Sequence, residues 1–161
     1  MVSDTVPHVE IRSLQPMRVA FVRHIGPYIE VGPVFERFMG WAGQHGLFGP
    51  GTKVIGIGHD DPHVTPADKL RFDCCITVKN DFKPEGDVEV QTIDGGDFAV
   101  IAHRGPYEKL VDSYRFLYEV WLPVSRRKTR QAPPFEVYLN SPRDTMAENL
   151  LTEIHVPLEP R

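Results

Sequence analysis

Cysteine is scarce in this 161-residue sequence, and the two that occur, Cys74 and Cys75, are neighbours. Adjacent residues in a strand-like run point to opposite faces. They therefore suit neither a disulfide framework nor a zinc site, and they read as small apolar residues. Long apolar runs are missing too. No stretch approaches the roughly 18 residues of a membrane span, and the opening MVSDTVPHVE has no apolar segment of a secretion signal. No membrane association is expected, and a cytoplasmic protein is. Basic residues are not in excess, since 18 Lys plus Arg stand against 22 Asp plus Glu, for a net charge of -4 and a pI near 6.0. That lacks the basic stripe of a nucleic-acid binder, so no direct nucleic-acid contact is expected. The only short glycine motif of note, Gly56-Ile57-Gly58, has neither spacing of a phosphate cradle. No nucleotide or other cofactor is expected.

What is present is a repeat. Val9-Glu10-Ile11-Arg12-Ser13-Leu14 recurs 79 residues later as Val88-Glu89-Val90-Gln91-Thr92-Ile93. His24-Ile25-Gly26-Pro27-Tyr28 recurs at the same separation as His103-Arg104-Gly105-Pro106-Tyr107. Trp41 and Trp121, and Asp60-Asp61-Pro62 and Asn140-Ser141-Pro142, correspond at a separation of 80. Self-similarity of this kind decides the architecture before any local reading.

Both copies show the same order of elements. VEIRSL and VEVQTI alternate as half-exposed strands do, while MRVAFVRH and FAVIAHR are more continuously apolar, as better covered strands are. Each Gly-Pro-Tyr marks a turn into a helix, because Gly permits the turn and Pro suits a first helical turn. One helix carries Ile29, Phe35, Phe38, Met39 and Trp41 and ends near His45-Gly46. The other carries Leu110, Tyr114, Leu117, Tyr118 and Trp121 at spacings of three and four, with Pro123 expected to close it. Two strands follow each helix, 53–58 with 70–78 and 135–139 with 150–157. The expected fold is α+β: a ββαββ unit, duplicated with pseudo-twofold symmetry over about 8–78 and 87–158. Its antiparallel sheet carries both main helices on one face and leaves a central cleft. Residues 79–86, KNDFKPEG, link the halves, and 1–161 is read as a single domain.

These landmarks resemble the GyrI-like small-molecule binding domain family, also called the AraC-type effector-binding domain. The match rests on Arg23 to Tyr28, Asp61-Pro62, Leu70 to Asp73, His103 to Tyr107, Trp121-Leu122-Pro123, Phe135 to Tyr138 with Asn140 and Pro142, and Leu151 to Ile154, in that order. The resemblance implies a pocket between the halves for amphipathic, often cationic, aromatic compounds. It also implies three contexts: fusion to a DNA-binding module, a stand-alone modulator of DNA gyrase, or a hydrolase of cyclopropane-containing natural products. With the first expected strand at Val9, no DNA-binding module is expected within this sequence. A separate transcription regulator or gyrase could be its protein partner.

Alternation puts Glu136 and Tyr138 on one strand face and Phe135, Val137 and Leu139 on the other. A carboxylate facing an apolar cleft costs free energy when empty and attracts a cation. The family resemblance likewise places this Glu in the pocket. Trp121 and Tyr138 are candidate aromatic walls, and Trp41, Tyr118, Tyr28 and Tyr114 are further candidates, although aromatics at helical spacing are more often core than pocket. For a hydrolase, Glu136 would handle water and Tyr138 would donate a proton. Asp73 and Glu153 occupy corresponding positions, and either could pair with Glu136 as a general acid. His59 and His63 flank Asp60-Asp61-Pro62, but that segment reads as turn chemistry and no third ligand accompanies it, so no metal is expected. His24 and His103 are expected to shape the strand-to-helix junctions.

Overall fold

The computed structural model describes residues 7–161. The two alternating segments form β1 (Val9–Leu14) and β5 (Glu89–Ile93), and the apolar segments form β2 (Met17–Ile25) and β6 (Gly96–Arg104). Between them in sequence lie β3 (Val54–Gly58) and β4 (Arg71–Thr77), and the chain ends with β7 (Phe135–Tyr138) and β8 (Leu151–Leu158). All eight join one antiparallel sheet in the order β1-β6-β8-β7-β3-β4-β2-β5.

That order contains an exchange. β1 pairs with β6 and β5 pairs with β2, so each repeat lends its first strand to the other half. The halves meet at β3 and β7, where Gly56 stands opposite Glu136. These two are also equivalent positions of the repeat, so the pseudo-twofold axis passes between them.

Both Gly-Pro-Tyr turns behave as expected. Gly26 and Gly105 adopt φ of 142° and 135°, a region only glycine enters freely. His24 Nε2 meets the Pro27 carbonyl at 3.1 Å and His103 Nε2 meets that of Pro106 at 3.3 Å, so the two histidines brace the junctions. After a short 3₁₀ turn, α1 (Val31–Gln44) stops before His45 and Gly46, with φ of 66° at Gly46. In the second copy α2 (Leu110–Arg115) passes through a π-helical turn, Phe116–Trp121, into α3 (Leu122–Ser125). Pro123 therefore does not close this helix. A proline ring needs the carbonyl one turn earlier to move aside, and the wider π turn just before it provides that room. The helix ends at Ser125 because Arg126 turns left-handed at φ 62°.

The two sheet faces differ. On one, α1 covers Ala20, Phe72, Cys74 and Ile76, while α2 and α3 cover Ala99, Ile101, Ile154 and Val156. The other face gathers Val19, Phe21, Ile55, Ile57, Cys75, Phe98, Val100, Phe135 and Val137 into one cluster drawn from both halves. Cys74 and Cys75 thus lie on opposite faces, both buried, and burial pushes the Cys74 thiol up to about 12. Residues of β5 and β6, near opposite ends of the sheet, line one hollow on the far face, so the sheet curls into a half-barrel. Among the described residues no helix is long and apolar enough to cross a membrane.

Candidate functional site

On the helix face the two helix-covered clusters leave a seam at the pseudo-twofold axis, and Glu136 sits in it. Along β7 the burial alternates: Phe135 and Val137 are buried, Glu136 and Tyr138 half-buried. Tyr114 Oη donates to Glu136 Oε2 at 2.7 Å, and Tyr138 Oη donates to Oε1 at 2.8 Å. Among the described residues no Lys, Arg or His lies within ion-pair distance of this carboxylate. Desolvation raises the Glu136 pKa above the ordinary value, against the opposing pull of the two hydroxyls and of nearby His103. The same burial, reinforced by the neighbouring carboxylate, pushes Tyr114 and Tyr138 well up, so both remain protonated donors.

The first half supplies room for the second. A Cβ added at Gly56 would collide with the Tyr138 hydroxyl and the Phe72 ring, so only glycine lets Tyr138 lie across the axis. Tyr138 then meets Phe35 of α1 edge-on at 5.4 Å and Tyr107 at 5.6 Å. Gly58 also faces a ring, Tyr28, though a Cβ there would meet it at ordinary contact distance, and Tyr28 packs edge-on against Phe72 at 5.5 Å. Tyr107 and Tyr118 stay exposed at the rim, at 37% and 39%. A half-buried carboxylate flanked by ring edges and hydroxyls can neutralise a cation and hold its apolar body.

The other expected residues are placed as follows. Trp121 packs into the cluster under α2 and α3. Trp41 packs beneath α1, stacked on Phe38 at 5.9 Å and His45 at 4.1 Å and edge-on to Phe82 of the linker; its ring partners are not those of Glu136. Asp73 and Glu153 lie on the far face, in register with Ile57 and Val137, so neither can pair with Glu136. Each has an arginine instead. Arg23 grips Asp73 with both its Nε (2.7 Å) and Nη2 (3.0 Å), and His59 (2.7 Å) and Gln91 (2.8 Å) add to it; Arg12 reaches Glu153 at 3.2 and 3.3 Å. His59 turns to Asp73 while His63 stands exposed beside Asp61, so the two are not brought together as metal ligands.

Three members of the site were not among the expected residues. Tyr107 belongs to a Gly-Pro-Tyr that signals a helix start, and Phe35 to a helical stripe that signals core; only their positions across the axis bring them to Tyr138. Thr152 is fully buried, neighbours Tyr138 and His103 across the strands, and its hydroxyl has no partner among the described residues.

Comparison with known proteins fits this geometry. The model of the GyrI-like small molecule binding domain matches residues 7–159. A DNA gyrase inhibitor of Salmonella typhimurium is 31% identical over 137 residues, covering 82% of this chain and 86% of that protein. The EcmrR C-terminal domain superposes with a TM-score of 0.75 at 21% identity, covering 98% of this chain and all of that one. SAV2435 bound to tetraphenylphosphonium superposes with a TM-score of 0.59 at 17% identity, covering 94% of each chain.

Proposed function

This chain belongs to the GyrI-like small-molecule binding domain family, and on that premise we propose that it captures an amphipathic, cationic aromatic compound at Glu136. One observation carries the reading. Glu136 is a half-buried carboxylate held by two neutral hydroxyls, with no ion-pair partner among the described residues. Leaving such a charge without a counter-ion costs stability, and a ligand cation removes that cost on binding. The rings of Tyr138, Tyr107 and Phe35 offer edges and faces to its apolar body. Trp121 and Tyr118, on the helix that carries Tyr114, are further ring contacts that this reading assigns to the ligand. The kinship with a structure holding tetraphenylphosphonium supports this ligand class.

Tetraphenylphosphonium is accordingly the probe. Calorimetric titration should show saturable binding to the wild type and a rise in Tm on addition, because a ligand of the native state stabilises it. Glu136→Gln should weaken binding about tenfold or more, the equivalent of ~1.4 kcal/mol. Equal affinity in the variant would remove Glu136 from the reading.

The relative named as a DNA gyrase inhibitor favours a second reading, in which the protein acts on gyrase. Recovery of purified gyrase on the immobilised protein tests it, and no recovery would set it aside.

A further inference from the structure

The half-barrel has an inside, and it is not filled. On the sheet face away from Glu136 lies a hollow of about 170 Å³. Its floor is aromatic and aliphatic: Phe98 and Phe135 meet edge-on at 5.3 Å beside Ile57. Its walls come from strands at opposite ends of the sheet and from Arg130, Ala132 and Pro133. For scale, a cavity of about 150 Å³ lined by apolar side chains takes up benzene, so this hollow fits one ring.

Its polar groups are asymmetric. At one end the Arg130 guanidinium lies 5.0 Å over the Phe98 ring, held there as Nη1 donates to the Gly95 carbonyl at 2.7 Å and Nη2 to that of Asp97 at 3.5 Å. Gly96, at φ 123°, leaves the space it occupies, since a Cβ there would approach the guanidinium to 3.0 Å. Both acceptors are neutral carbonyls. Among the described residues Arg130 forms no ion pair, and its Nε has no acceptor at all. The Asp97 carboxylate, near enough to feel the Arg130 charge, is hydrogen-bonded instead by Arg127 at 2.8 Å and Ser13 at 2.7 Å. At the other end His59 is fixed by Asp73, whose charge Arg23 already balances. Asp94 is the one carboxylate on the lining, and it is exposed to water.

We propose that this hollow is a second small-molecule site, distinct from the Glu136 seam, that takes a single-ring aromatic carboxylate with its ring on Phe98 and Phe135 and its carboxylate on Arg130. The two faces of the sheet would then select opposite charges, a cation where the chain supplies an unbalanced carboxylate and an anion where it supplies an unbalanced guanidinium. Planar guanidinium-to-carboxylate pairing is strong where water is partly excluded.

Benzoate is the probe, followed by NMR of the full chain. It should give saturable shifts of the Phe98 and Phe135 ring protons and the Ile57 methyls, with none at Tyr138 or Tyr114. Benzylammonium, the same ring with the opposite charge, should bind at least tenfold more weakly at these residues. Arg130→Gln should cost benzoate affinity at least tenfold. Because Arg130 also ties two backbone carbonyls, Ala132→Trp gives an independent check, since a large ring on this lining position should fill the hollow and block the shifts while leaving the guanidinium in place. Benzoate shifts confined to the tyrosines, equal binding of benzylammonium, or unchanged binding in Ala132→Trp would each overturn the site.

Discussion

Asp73 and Glu136 are both carboxylates on central strands, and the protein treats them in opposite ways. Asp73 is fully buried and has its counter-ion built in: Arg23 grips it bidentately, and His59 and Gln91 complete its hydrogen bonds. Desolvation alone would raise its pKa, but those three partners hold it well below the usual carboxylate range. Glu136 keeps some access to solvent and receives only two tyrosine hydroxyls, and burial wins, so its pKa goes up. The lesson is that burial alone does not mark a site. A carboxylate whose cation is supplied by the chain is structural; one without an ion-pair partner is where the proposed ligand cation would sit. Glu153 with Arg12 and Asp97 with Arg127 fall on the structural side of the same divide.

The contrast can be broken first at Asp73. Asp73→Asn leaves Arg23 and His59 around a neutral group, and breaking a buried pair in this way costs about 3 kcal/mol or more. Thermal unfolding at pH 7 should show a Tm lower by about 10 °C, with tetraphenylphosphonium affinity little changed in the folded fraction. A shift of only a degree or two would mean the network contributes little.

A smaller but more local effect is expected at the axis. Gly56→Ala pushes the Tyr138 ring off its place and should cost about 1–3 kcal/mol, as overpacking does. It should also weaken tetraphenylphosphonium binding, because the Tyr138 hydroxyl leaves Glu136. Wild-type binding by this variant would show that Tyr138 need not lie across Gly56.

A pH-dependent effect separates the far face from the seam. His155 is buried, stacked on Phe135 at 4.5 Å, and burial lowers its pKa to about 4. From about pH 6.5, where an unfolded histidine titrates, down to about 4, the unfolded chain binds a proton that the folded one does not. Stability should therefore fall by up to ~1.4 kcal/mol per pH unit across that window. His155→Phe keeps the stacked ring and should flatten this acid limb in urea titrations at pH 7, 6 and 5. An unchanged slope would place the titrating group elsewhere.

Much of this architecture is written in local sequence. The repeat, the two glycine turns, the opposite faces of Cys74 and Cys75 and the shared face of Glu136 and Tyr138 all follow from spacing, because each depends on neighbours along the chain. The exchange of β1 and β5 does not, since strand partners are chosen by long-range packing that VEIRSL and VEVQTI do not encode. Alternation assigns Asp73 a face of its own strand but not which face of β7 coincides with it, and the register decides that against a pair with Glu136. The repeat aligns Gly56 with Glu136, at a separation of 80. That Gly56 leaves room for the Tyr138 ring became visible only with the two strands side by side.

Glu136 has no ion-pair partner among the described residues and, as proposed, gains one from its ligand; its own titration is the direct test. Side-chain carboxyl ¹³C NMR across pH should find the Glu136 pKa above the ordinary glutamate value in the free protein and lower it when tetraphenylphosphonium is bound. By linkage the free protein should then lose stability as pH rises through that pKa, and the ligand should restore it. A Glu136 pKa at or below the ordinary value in the free protein, or one that the bound cation leaves unmoved, would rule out a ligand cation paired with Glu136.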